Sequence, residues 1–337
     1  MKTSNNFLIK VNGHTITGGP RAMLQLGSKL QELGAHVSLC FDDVEAKELF
    51  TDWVNELLPK AEIVLAKYLN NYNNYNLIVT ETDLRILKEL NWSGSIVCYM
   101  LSVDNCAAYG LKRLTIEANI RHLKHIVRQI YFRNHVSWAQ QSARVDLFVA
   151  QSHYAMEILV KSSSTPIFLI GDYIDSSKSI FEKKNRSINS KTKLRVCFNP
   201  NKGRIYSAIA RFFNKSVQFI PIQGLNDRQL VELYQTCDAY VDFGSQPGKD
   251  RLPREAIACN CPSFIRHSGA GFNYSDFPRS KEFRFKISQL LSLDSIMRTG
   301  IELSYRNPLF NRSRAAEVLV EEREFSLRVE QLMQILG

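Results

Sequence analysis

The sequence predicts an α/β protein made of two halves, each with a parallel sheet covered by helices on both faces. Short apolar runs of strand length alternate with helical patterns along the chain. This alternation occurs twice, on either side of a polar and basic stretch. The chain closes with the amphipathic pattern RAAEVLVEEREFSLRVEQLMQIL, which predicts one long terminal helix.

The first half opens with a β–α–β unit. Phe7 to Val11 predicts a strand, Arg21 to Leu33 predicts a helix that ends at Gly34, and His36 to Phe41 predicts a second strand. The further strands predicted in this half are Asn76 to Thr80, Ser95 to Leu101, Asp146 to Ala150 and Pro166 to Ile170. Because their apolar runs are nearly continuous, we expect these strands to be buried on both faces.

The second half begins after Ser176 to Lys193, whose polar and basic composition is typical of a linker. The strands predicted beyond it are Leu194 to Phe198, Val217 to Pro221, Ala239 to Phe243 and Ser263 to Ile265. We therefore predict one domain over residues 1–175, a linker over 176–193, and a second domain over 194–337 that includes the terminal helix. In such an architecture, ligands bind beyond the carboxyl ends of the strands, in a cleft between the halves.

Composition narrows the class of partner. The 337 residues include 43 Lys and Arg against 33 Asp and Glu, and the net charge of +10 predicts an anionic partner. No run approaches the roughly 20 apolar residues of a membrane span, and the start does not resemble a signal peptide, so we expect a cytoplasmic protein. The seven cysteines, an odd number, are expected to be small buried hydrophobes. Cys259 and Cys261 form an isolated pair, so no metal site is expected.

A glycine-rich loop follows the first predicted strand. Gly13 and Gly18 have the spacing of a P-loop, but Gly19 and Pro20 stand where that motif needs Lys and Ser or Thr. What is left is a Gly18-Gly19 turn that opens a helix near Arg21, where free backbone amides favour an anion. We predict an acceptor or phosphate loop here; the alternative is a tight turn that only packs helix against strand.

The run FGSQPGKDRLPREA gathers charges where a strand ends and a helix begins. Pro253 suits the first helical position, which places Lys249 and Arg251 just before the free amides of a helix N-terminus. Glu255 would then accept hydrogen bonds from ribose hydroxyls. In the alternative, Glu255 caps the helix and pairs with a neighbouring arginine, a pair worth under about 1 kcal/mol. This number of charges beside two glycines exceeds what a helix cap requires and favours a phosphate and ribose site.

A family resemblance rests on these segments. The run DFGSQPGKDRLPREAIACNCP is similar to that of a group of largely uncharacterised bacterial glycosyltransferases with the motif DFGxxPGKDRxPREA. Tyr99 to Asn105 resembles another segment of that group, and TGGPRAMLQLGSKLQELGAHV resembles the first β–α–β unit of the GT-B fold. The resemblance covers most of the chain, although only PGKDRLPREA is specific. It implies two Rossmann-like domains facing across a cleft, closed by a C-terminal helix, with a nucleotide sugar bound by the second domain.

The resemblance also implies a set of donor contacts. The residues expected to bind the donor are Lys202, Arg204, Gly244, Lys249, Asp250, Arg251, Glu255 and Gly269. Lys202 and Arg204 follow the strand Leu194 to Phe198. This pattern alone is weak evidence for a phosphate site, since basic residues in a turn are usually only solvated. Many retaining enzymes of this fold carry two glutamates eight positions apart, but here the partner of Glu255 falls on Pro247. The sugar contact is then missing or supplied by Asp250, and stereochemistry stays open. The arginine that usually precedes the Lys-Gly pair is not evident.

An inverting transfer needs a proton acceptor near the acceptor hydroxyl. Asp104, after the strand SIVCYML, is the first candidate, and His14 in the first loop is the second. Alternatively, Asp104 caps a helix and His14 is a structural residue of its loop. Ser102 and Asn105 are expected to contact acceptor or donor. Gly110 to Arg144 is strongly basic with apolar residues near helical spacing, which is typical of a helix lying on an anionic membrane. The alternative is an inter-domain helix with a solvated basic face.

The hypothesis is a metal-independent, hexosyltransferase-like glycosyltransferase without a cofactor. It moves a sugar from a nucleotide diphosphate to a glycan or lipid-linked acceptor, in bacterial surface polysaccharide synthesis at the inner face of the membrane. An alternative is a nucleotide-sugar epimerase or phosphorylase on the same fold, although no second acid for an epimerase is evident. Another is a non-catalytic nucleotide- or nucleic-acid-binding protein. No nucleic acid is expected, because the chain lacks the interleaved aromatic and basic residues that stack bases.

Overall fold

A computed structural model describes residues 5–11, 17–109, 120, 123, 127, 137–175, 193–277 and 281–336. His14, nearly all of the predicted linker and most of the predicted basic helix lie outside these ranges. The chain forms two compact units. The first contains Met1–Asp172 with Arg323–Gly337, and the second contains Tyr173–Glu322. The last turns of the terminal helix are thus grouped with the first unit, whereas the sequence-based division keeps that helix whole in the second.

The first unit is built on a parallel sheet in the order β3-β2-β1-β4-β5-β6-β7. Its strands are β1 (Asn6–Lys10), β2 (His36–Phe41), β3 (Glu62–Leu65), β4 (Asn76–Thr80), β5 (Ile96–Met100), β6 (Leu147–Ala150) and β7 (Ile167–Leu169). Its helices are α1 (Gly18–Glu32), α2 (Val44–Leu49), α3 (Thr51–Leu57), α4 (Trp138–Ser142) and α5 (His153–Val160), with 3₁₀ turns at Ala66–Tyr72, Ile86–Lys88 and Val103–Tyr109. The central strands β4 and β5 are buried along their whole length, as their continuous apolar runs predict.

The second unit has a smaller parallel sheet in the order β12-β11-β10-β8-β9. Its strands are β8 (Leu194–Phe198), β9 (Val217–Pro221), β10 (Ala239–Asp242), β11 (Ser263–Arg266) and β12 (Arg284–Phe285). Its helices are α6 (Arg204–Phe213), α7 (Asp227–Thr236), α8 (Arg251–Ala258) and α9 (Leu293–Arg306), with 3₁₀ turns at Ala270–Phe272, Lys281–Phe283 and Ile287–Ser292. Helix α10 (Pro308–Leu336) ends the described chain.

Aromatic packing supports the carboxyl ends of the strands in the second unit. The ring of Phe243, directly after β10, makes an edge contact with Phe198 of β8 at 6.0 Å between centroids. It makes another with Phe285 of β12 at 6.0 Å. All three rings are almost fully buried. Because aromatic pairs bury large areas in a defined geometry, this cluster fixes the points where the loops of the strands begin.

The structure confirms the predicted strands to within one or two residues and adds two, β3 and β12, that the sequence analysis does not predict. Helix α8 begins at Arg251, two residues before Pro253, so the prediction that Pro253 opens the helix was wrong. A proline fits there because the amides of the first helical turn have no intrahelical partner. All seven cysteines are buried and free, which confirms their predicted role as small hydrophobes.

Candidate functional site

In the second sheet, the order in which the chain adds strands reverses between β8 and β10. Strand β8 has β9 on one side and β10 on the other, and the chain continues from β10 to β11 and β12 toward the opposite edge. In open parallel sheets, ligands bind at such a switch point, beyond the carboxyl ends of the strands. Two loops lie there, over residues 199–203 after β8 and over residues 243–250 after β10. They contain four of the eight predicted donor-binding residues, Lys202, Gly244, Lys249 and Asp250.

Two glycines let these loops approach each other. Gly203 has φ of 58°, and a Cβ atom on it would lie 2.2 Å from the carbonyl oxygen of Phe243. A Cβ atom on Gly244 would lie 3.1 Å from Cβ of Lys202. The carboxylate of Asp242 accepts a hydrogen bond from the backbone N–H of Gly244 at 2.8 Å, which directs the second loop toward the first. Gly203 therefore has both a backbone conformation and a contact that only glycine tolerates.

Lys202 and Asp250 join the two loops through an ion pair. The Lys202 Nζ atom lies 2.5 Å from Oδ2 of Asp250, and the side chains are 31% and 22% exposed. Burial lowers the pKa of Lys202, but the carboxylates of Asp250 and Asp242 outweigh burial and raise that pKa above its ordinary value. Burial raises the pKa of Asp250 against the opposing attraction of Lys202. The switch point thus holds a protonated lysine whose side chain is partly exposed.

Arg254 fixes the second loop from inside. Its side chain has no exposed surface, and its guanidinium donates to the carbonyl oxygens of Lys249 at 3.0 Å and Asp250 at 3.2 Å. It also donates to Glu321 of α10 at 2.6 Å. The other oxygen of Glu321 lies 2.6 Å from Nζ of Lys249. Lys249, which the sequence analysis assigns to the diphosphate, is therefore paired with an acid 72 positions further along the chain in this structure.

Arg251 and Glu255 lie together in the first turns of α8. The Arg251 Nε atom is 3.4 Å from Oε1 of Glu255, and Nη1 donates to the carbonyl oxygen of Tyr173 at 2.9 Å. Their side chains are 11% and 24% exposed. The ion pair that the sequence analysis weighs as the alternative to a ribose contact is thus present. Arg204 is exposed at the first position of α6.

The loop after β11 contacts the loop after β10 at Gly269. This glycine has φ of 62°, and a Cβ atom on it would lie 2.1 Å from the carbonyl oxygen of Gln246. That oxygen accepts a hydrogen bond from the N–H of Ala270 at 2.6 Å. The side-chain amide of Gln246 is fully buried and has no hydrogen-bond partner among the residues that the structure describes. Gly269 therefore supports the site through the backbone, and Gln246 is a buried polar group that the sequence analysis does not single out.

The first sheet has its own switch point, between β1 and β4. Lys10 ends β1, and its Nζ atom lies 2.8 Å from Asp83 and 2.7 Å from Asp42. A pocket of about 440 Å³ lies beside these residues. It is lined by Thr17, Gly19, Pro20, Met23, Asp42, Thr80 and Thr82. Gly19 thus reaches a pocket wall with hydroxyls and one carboxylate, while the exposed Gly18 is not among the lining residues.

Arg21 has a different environment from its glycine neighbours. Its side chain is 7% exposed, and its guanidinium carbon lies 5.3 Å from the ring centroid of Trp53 in α3. A guanidinium over an indole face gains a cation–π interaction and loses exposure to solvent. The structure therefore places Arg21 against another helix of the first unit. His14, the second proposed proton acceptor, lies outside the described residues.

The segment after β5 is organised by a buried acid, Glu81, that the sequence analysis does not single out. Its carboxylate accepts from the N–H of Leu101 at 3.0 Å and from Nδ2 of Asn105 at 2.9 Å, and the N–H of Ser102 is a further donor. Burial raises the pKa of Glu81 to about 7. Asp104 is 2% exposed and accepts a hydrogen bond from the Tyr154 hydroxyl at 2.8 Å. Glu81 follows the apolar run NLIVT directly, which is the signal that locates it at a strand end.

Three further observations concern metals and membranes. In the part of the chain that the structure describes, no group of three or more His, Cys, Asp or Glu side chains is arranged to hold a metal ion. None of the helices described there is both long and apolar enough to span a bilayer. Within the predicted basic helix, the described residues Ile120, Leu123 and Val127 are helical and 51%, 61% and 49% exposed.

The two parallel sheets, the helices that connect their strands and the loops gathered at the switch points define a protein of two Rossmann-like domains. Solved structures identify the arrangement as the GT-B fold, which confirms the predicted fold class. The chain is similar to sucrose-phosphate synthase from Thermosynechococcus elongatus, with a TM-score of 0.62 and 12% identity over 98% of both chains.

Two further glycosyltransferase structures show the same fold. A glycosyltransferase from Rickettsia africae has a TM-score of 0.56 and 11% identity over 99% of this chain and 98% of its own. WaaG, a glycosyltransferase involved in lipopolysaccharide biosynthesis, has a TM-score of 0.56 and 11% identity over 98% of this chain and 99% of its own. No family model matches the sequence, and no curated protein matches it. At these identities, the likeness shows the fold.

Proposed function

We propose that the protein is a glycosyltransferase that takes a sugar from a nucleotide diphosphate donor bound at the switch point of its second sheet. The observation that carries the proposal is the joining of the loops over residues 199–203 and 243–250. Gly203 brings them into contact, and the Lys202–Asp250 ion pair holds a charged amine there. A diphosphate needs such cations beside free backbone amides, and the first turns of α6 and α8 supply amides at the same edge.

The cations are divided between two tasks. Lys249 is paired with Glu321 and holds the loop, so the proposal assigns the diphosphate to Lys202 and Arg251, with the exposed Arg204 nearby. A phosphate oxygen would replace Asp250 as the partner of Lys202, exchanging one charge-assisted hydrogen bond for another. Asp250, released from the amine, would accept hydrogen bonds from the donor sugar.

The ribose is assigned to Glu255. Its carboxylate is partly exposed and lies beside Arg251 at 3.4 Å, so a phosphate that draws Arg251 away would free it to accept ribose hydroxyls. The interaction lost in this exchange is small, because partly exposed ion pairs contribute about 1 kcal/mol or less. The ion pair seen in the structure is therefore compatible with the ribose contact.

The acceptor is assigned to the first unit. Its pocket of about 440 Å³ is lined by three threonines and the Asp42 carboxylate, which is 38% exposed, and such groups match a polyhydroxylated acceptor. Of the two proton acceptors predicted from the sequence, Asp104 would have to give up its hydrogen bond from Tyr154 to act as a base. Asp42 is already on the pocket wall, so we assign to it the hydrogen bond to the acceptor hydroxyl.

The finer features of the proposal concern metal and membrane. Lys and Arg side chains supply the positive charge at the diphosphate, so the transfer is proposed to proceed without a metal ion or cofactor. The acceptor is proposed to be a lipid-linked or polymeric glycan of a bacterial surface polysaccharide, reached at the inner face of the membrane. The exposed apolar residues Ile120, Leu123 and Val127, three and four positions apart within a basic stretch, support contact with such a surface.

A ligand screen tests the donor site. UDP, GDP, CMP and ADP sugars are added to the protein with EDTA, and melting temperature is recorded, because a bound ligand stabilises by mass action. We expect one nucleotide to raise the melting temperature and its affinity to fall about ten- to a hundredfold in Lys202→Ala, the loss of one charge-assisted contact. Arg228→Ala is the matched control, since Arg228 is 90% exposed on α7 of the same unit.

Product analysis then separates the reactions. Transfer predicts a free nucleoside diphosphate and a glycosylated acceptor or, without acceptor, slow donor hydrolysis. An epimerised nucleotide sugar, or a sugar phosphate formed with added phosphate, would replace transfer with the corresponding alternative. Absence of any nucleotide-induced stabilisation, with Lys202→Ala indistinguishable from the parent protein, would refute the donor site itself.

A further inference from the structure

The second unit carries an exposed apolar surface that the proposed donor site does not use. Ile205, Phe212 and Phe213 of α6 are 73%, 66% and 54% exposed. Single exposed apolar residues are ordinary on soluble proteins, but α6 has only 10 residues and exposes three large ones. Ile205 and Phe212 are seven positions apart and therefore share one face of the helix. This surface needs a partner to bury it.

The surface continues onto the 3₁₀ turn Ile287–Ser292. Asn214, directly after α6, donates through Nδ2 to the carbonyl oxygen of Leu290 at 2.9 Å. Its Oδ1 atom accepts from the N–H of Asp294 at 2.9 Å. Leu291 and Ile287 in this turn are 59% and 39% exposed. Asn214 thus holds the two segments side by side, and we call their exposed apolar residues, Ile205, Phe212, Phe213, Ile287 and Leu291, the α6 ridge.

The charges around the α6 ridge have one sign almost throughout. Residues 205–216 contain Arg211 and Lys215 and no acid. The Nζ atom of Lys215 lies 5.0 Å from the centroid of the Phe212 ring, so a cation sits directly on the ridge. The exposed Lys286 precedes Ile287. Within the described residues 286–294 the acid is Asp294, whose carboxylate accepts a hydrogen bond from the Ser216 hydroxyl at 2.7 Å.

We propose that the α6 ridge docks the second unit on an anionic lipid surface, with its rings at the level of the headgroups and its cations on lipid phosphates. Apolar and aromatic side chains flanked by Lys and Arg are the composition that partitions into a membrane interface. The inference does not rest on glycosyl transfer, and it concerns a different surface from the predicted basic helix of the first unit.

Two other occupants fit the ridge less well. A second copy of the chain, joined ridge to ridge about a two-fold axis, would bring Arg211 and Lys215 against the same cations. An acidic protein would satisfy the charges, but it would also have to present apolar pockets that match three separate protruding side chains of α6, which are 73%, 66% and 54% exposed. A lipid interface meets both requirements, because it supplies diffuse negative charge and accepts protruding rings without a matching shape.

The experiment measures binding of the whole protein to vesicles of phosphatidylcholine with and without phosphatidylglycerol. We expect binding that requires phosphatidylglycerol and that falls at least about tenfold in F212S/F213S, since two large apolar side chains leave the interface. Val160→Ser removes a side chain that is 60% exposed on α5 of the first unit and should leave binding unchanged. Both variants change exposed residues, so melting temperatures should match that of the parent protein.

A charge pair and a fluorescence probe complete the test. R211E/K215E should weaken binding to phosphatidylglycerol vesicles more than R228E, which changes a residue that is 90% exposed on another helix. In F212W, the tryptophan emission should shift to the blue on vesicles and be quenched by brominated lipid. Binding equal to the parent in F212S/F213S, or no spectral shift in F212W, would overturn the proposal. So would a parent dimer that F212S/F213S dissociates, or an acidic protein that competes with the vesicles.

Discussion

Each of the two sheets places a lysine at its switch point, but the two lysines have different surroundings. Lys10 ends β1, its side chain is 3% exposed, and it pairs with Asp83, which is 5% exposed, and with Asp42. Lys202 follows β8, is 31% exposed, and pairs with Asp250 alone among the ion pairs of the described residues. The same topological position thus holds a lysine side chain with almost no exposed surface in one unit and a partly exposed lysine side chain in the other.

Under the proposed function, this difference separates a structural lysine, Lys10, from a ligand-binding lysine, Lys202. If a lysine in a buried ion pair changed its carboxylate partner for a ligand, the carboxylate would stay buried without a counter-charge, which costs free energy. In a partly exposed pair, water can solvate the released carboxylate, so the exchange costs less. The glycines strengthen the contrast, since Gly203 and Gly244 bring the backbone of the second unit within contact distance of Lys202. We therefore expect changes at Lys10 to affect stability and changes at Lys202 to affect ligand affinity.

The largest expected effect follows from the buried side chain of Lys10. Lys10→Ala should lower the free energy of unfolding by about 3 to 5 kcal/mol, because it leaves Asp83 buried without its partner. Lys202→Ala should cost about 1 kcal/mol or less, as partly exposed pairs do. Urea denaturation of both variants measures this. Lys10→Met/Asp83→Leu is the control, which should recover much of the loss because no charge stays buried. Equal destabilisation by the two alanine variants would remove the distinction between the lysines.

The second effect concerns Glu81, a further buried acid at the edge of the first sheet. Burial raises the pKa of Glu81 from 4.5 to about 7, so the folded protein holds this proton more tightly than the unfolded chain does. The contribution of Glu81 to stability is therefore fully present below pH 4.5 and falls as the pH rises to about 7. The total loss is about 3 kcal/mol. Glu81→Gln should remove this slope from unfolding curves recorded across that pH range.

Glu62→Gln serves as the control for Glu81. The Tyr72 hydroxyl donates to Glu62 and lowers its pKa, so the stability contributed by Glu62 is lost as the pH falls through the folded-state pKa. The two variants should therefore change the pH profile in opposite directions. Parallel pH profiles for Glu81→Gln and the parent protein would show that Glu81 is not desolvated as the structure has it.

The strands and the loops of the candidate site could largely be predicted from the sequence. Strands β8 and β9 are predicted with their observed bounds, because LRVCF and VQFIP are short apolar runs between polar turns. Strand β12 has two residues, Arg284 and Phe285, and carries too little pattern to detect. The loops of the candidate site are predictable for the same reason as the strands, since the carboxyl ends of parallel strands meet at one edge.

The partners within the site are not predictable in this way. Lys249 and Arg254 pair with Glu321, and that choice depends on where α10 packs, which no local pattern encodes. The pKa of Glu81 likewise depends on burial under a segment that follows a different strand. The sequence therefore predicts the edge of the sheet at which a ligand site is expected, but not which of the charged side chains there are already paired within the protein.

The third effect tests the close approach that makes the second switch point different. Gly203 and Gly224 both have left-handed φ angles, of 58° and 66°. A Cβ atom on Gly203 would meet the Phe243 carbonyl oxygen at 2.2 Å, whereas a Cβ atom on Gly224 would meet nothing within 4 Å. Gly224→Ala should cost about 1 to 2 kcal/mol from the backbone alone. Gly203→Ala should cost about 1 to 3 kcal/mol more, from the added contact. Equal losses in urea denaturation would mean that the loops do not touch.

The smallest expected effect sharpens the assignment within the accessible site. Arg251→Ala should weaken a nucleoside diphosphate roughly tenfold while leaving the corresponding nucleoside nearly unchanged, because only the diphosphate carries the charge that Arg251 neutralises. Glu255→Gln should weaken both ligands by a similar factor, because both contain the ribose. Isothermal titration with the nucleotide identified in the ligand screen measures the two ratios. The pair is partly exposed, so melting temperatures without ligand should change little in either variant. If both variants instead lower the melting temperature strongly and bind the two ligands in the parent's ratio, the Arg251–Glu255 pair is structural, and the diphosphate and ribose assignments in α8 are wrong.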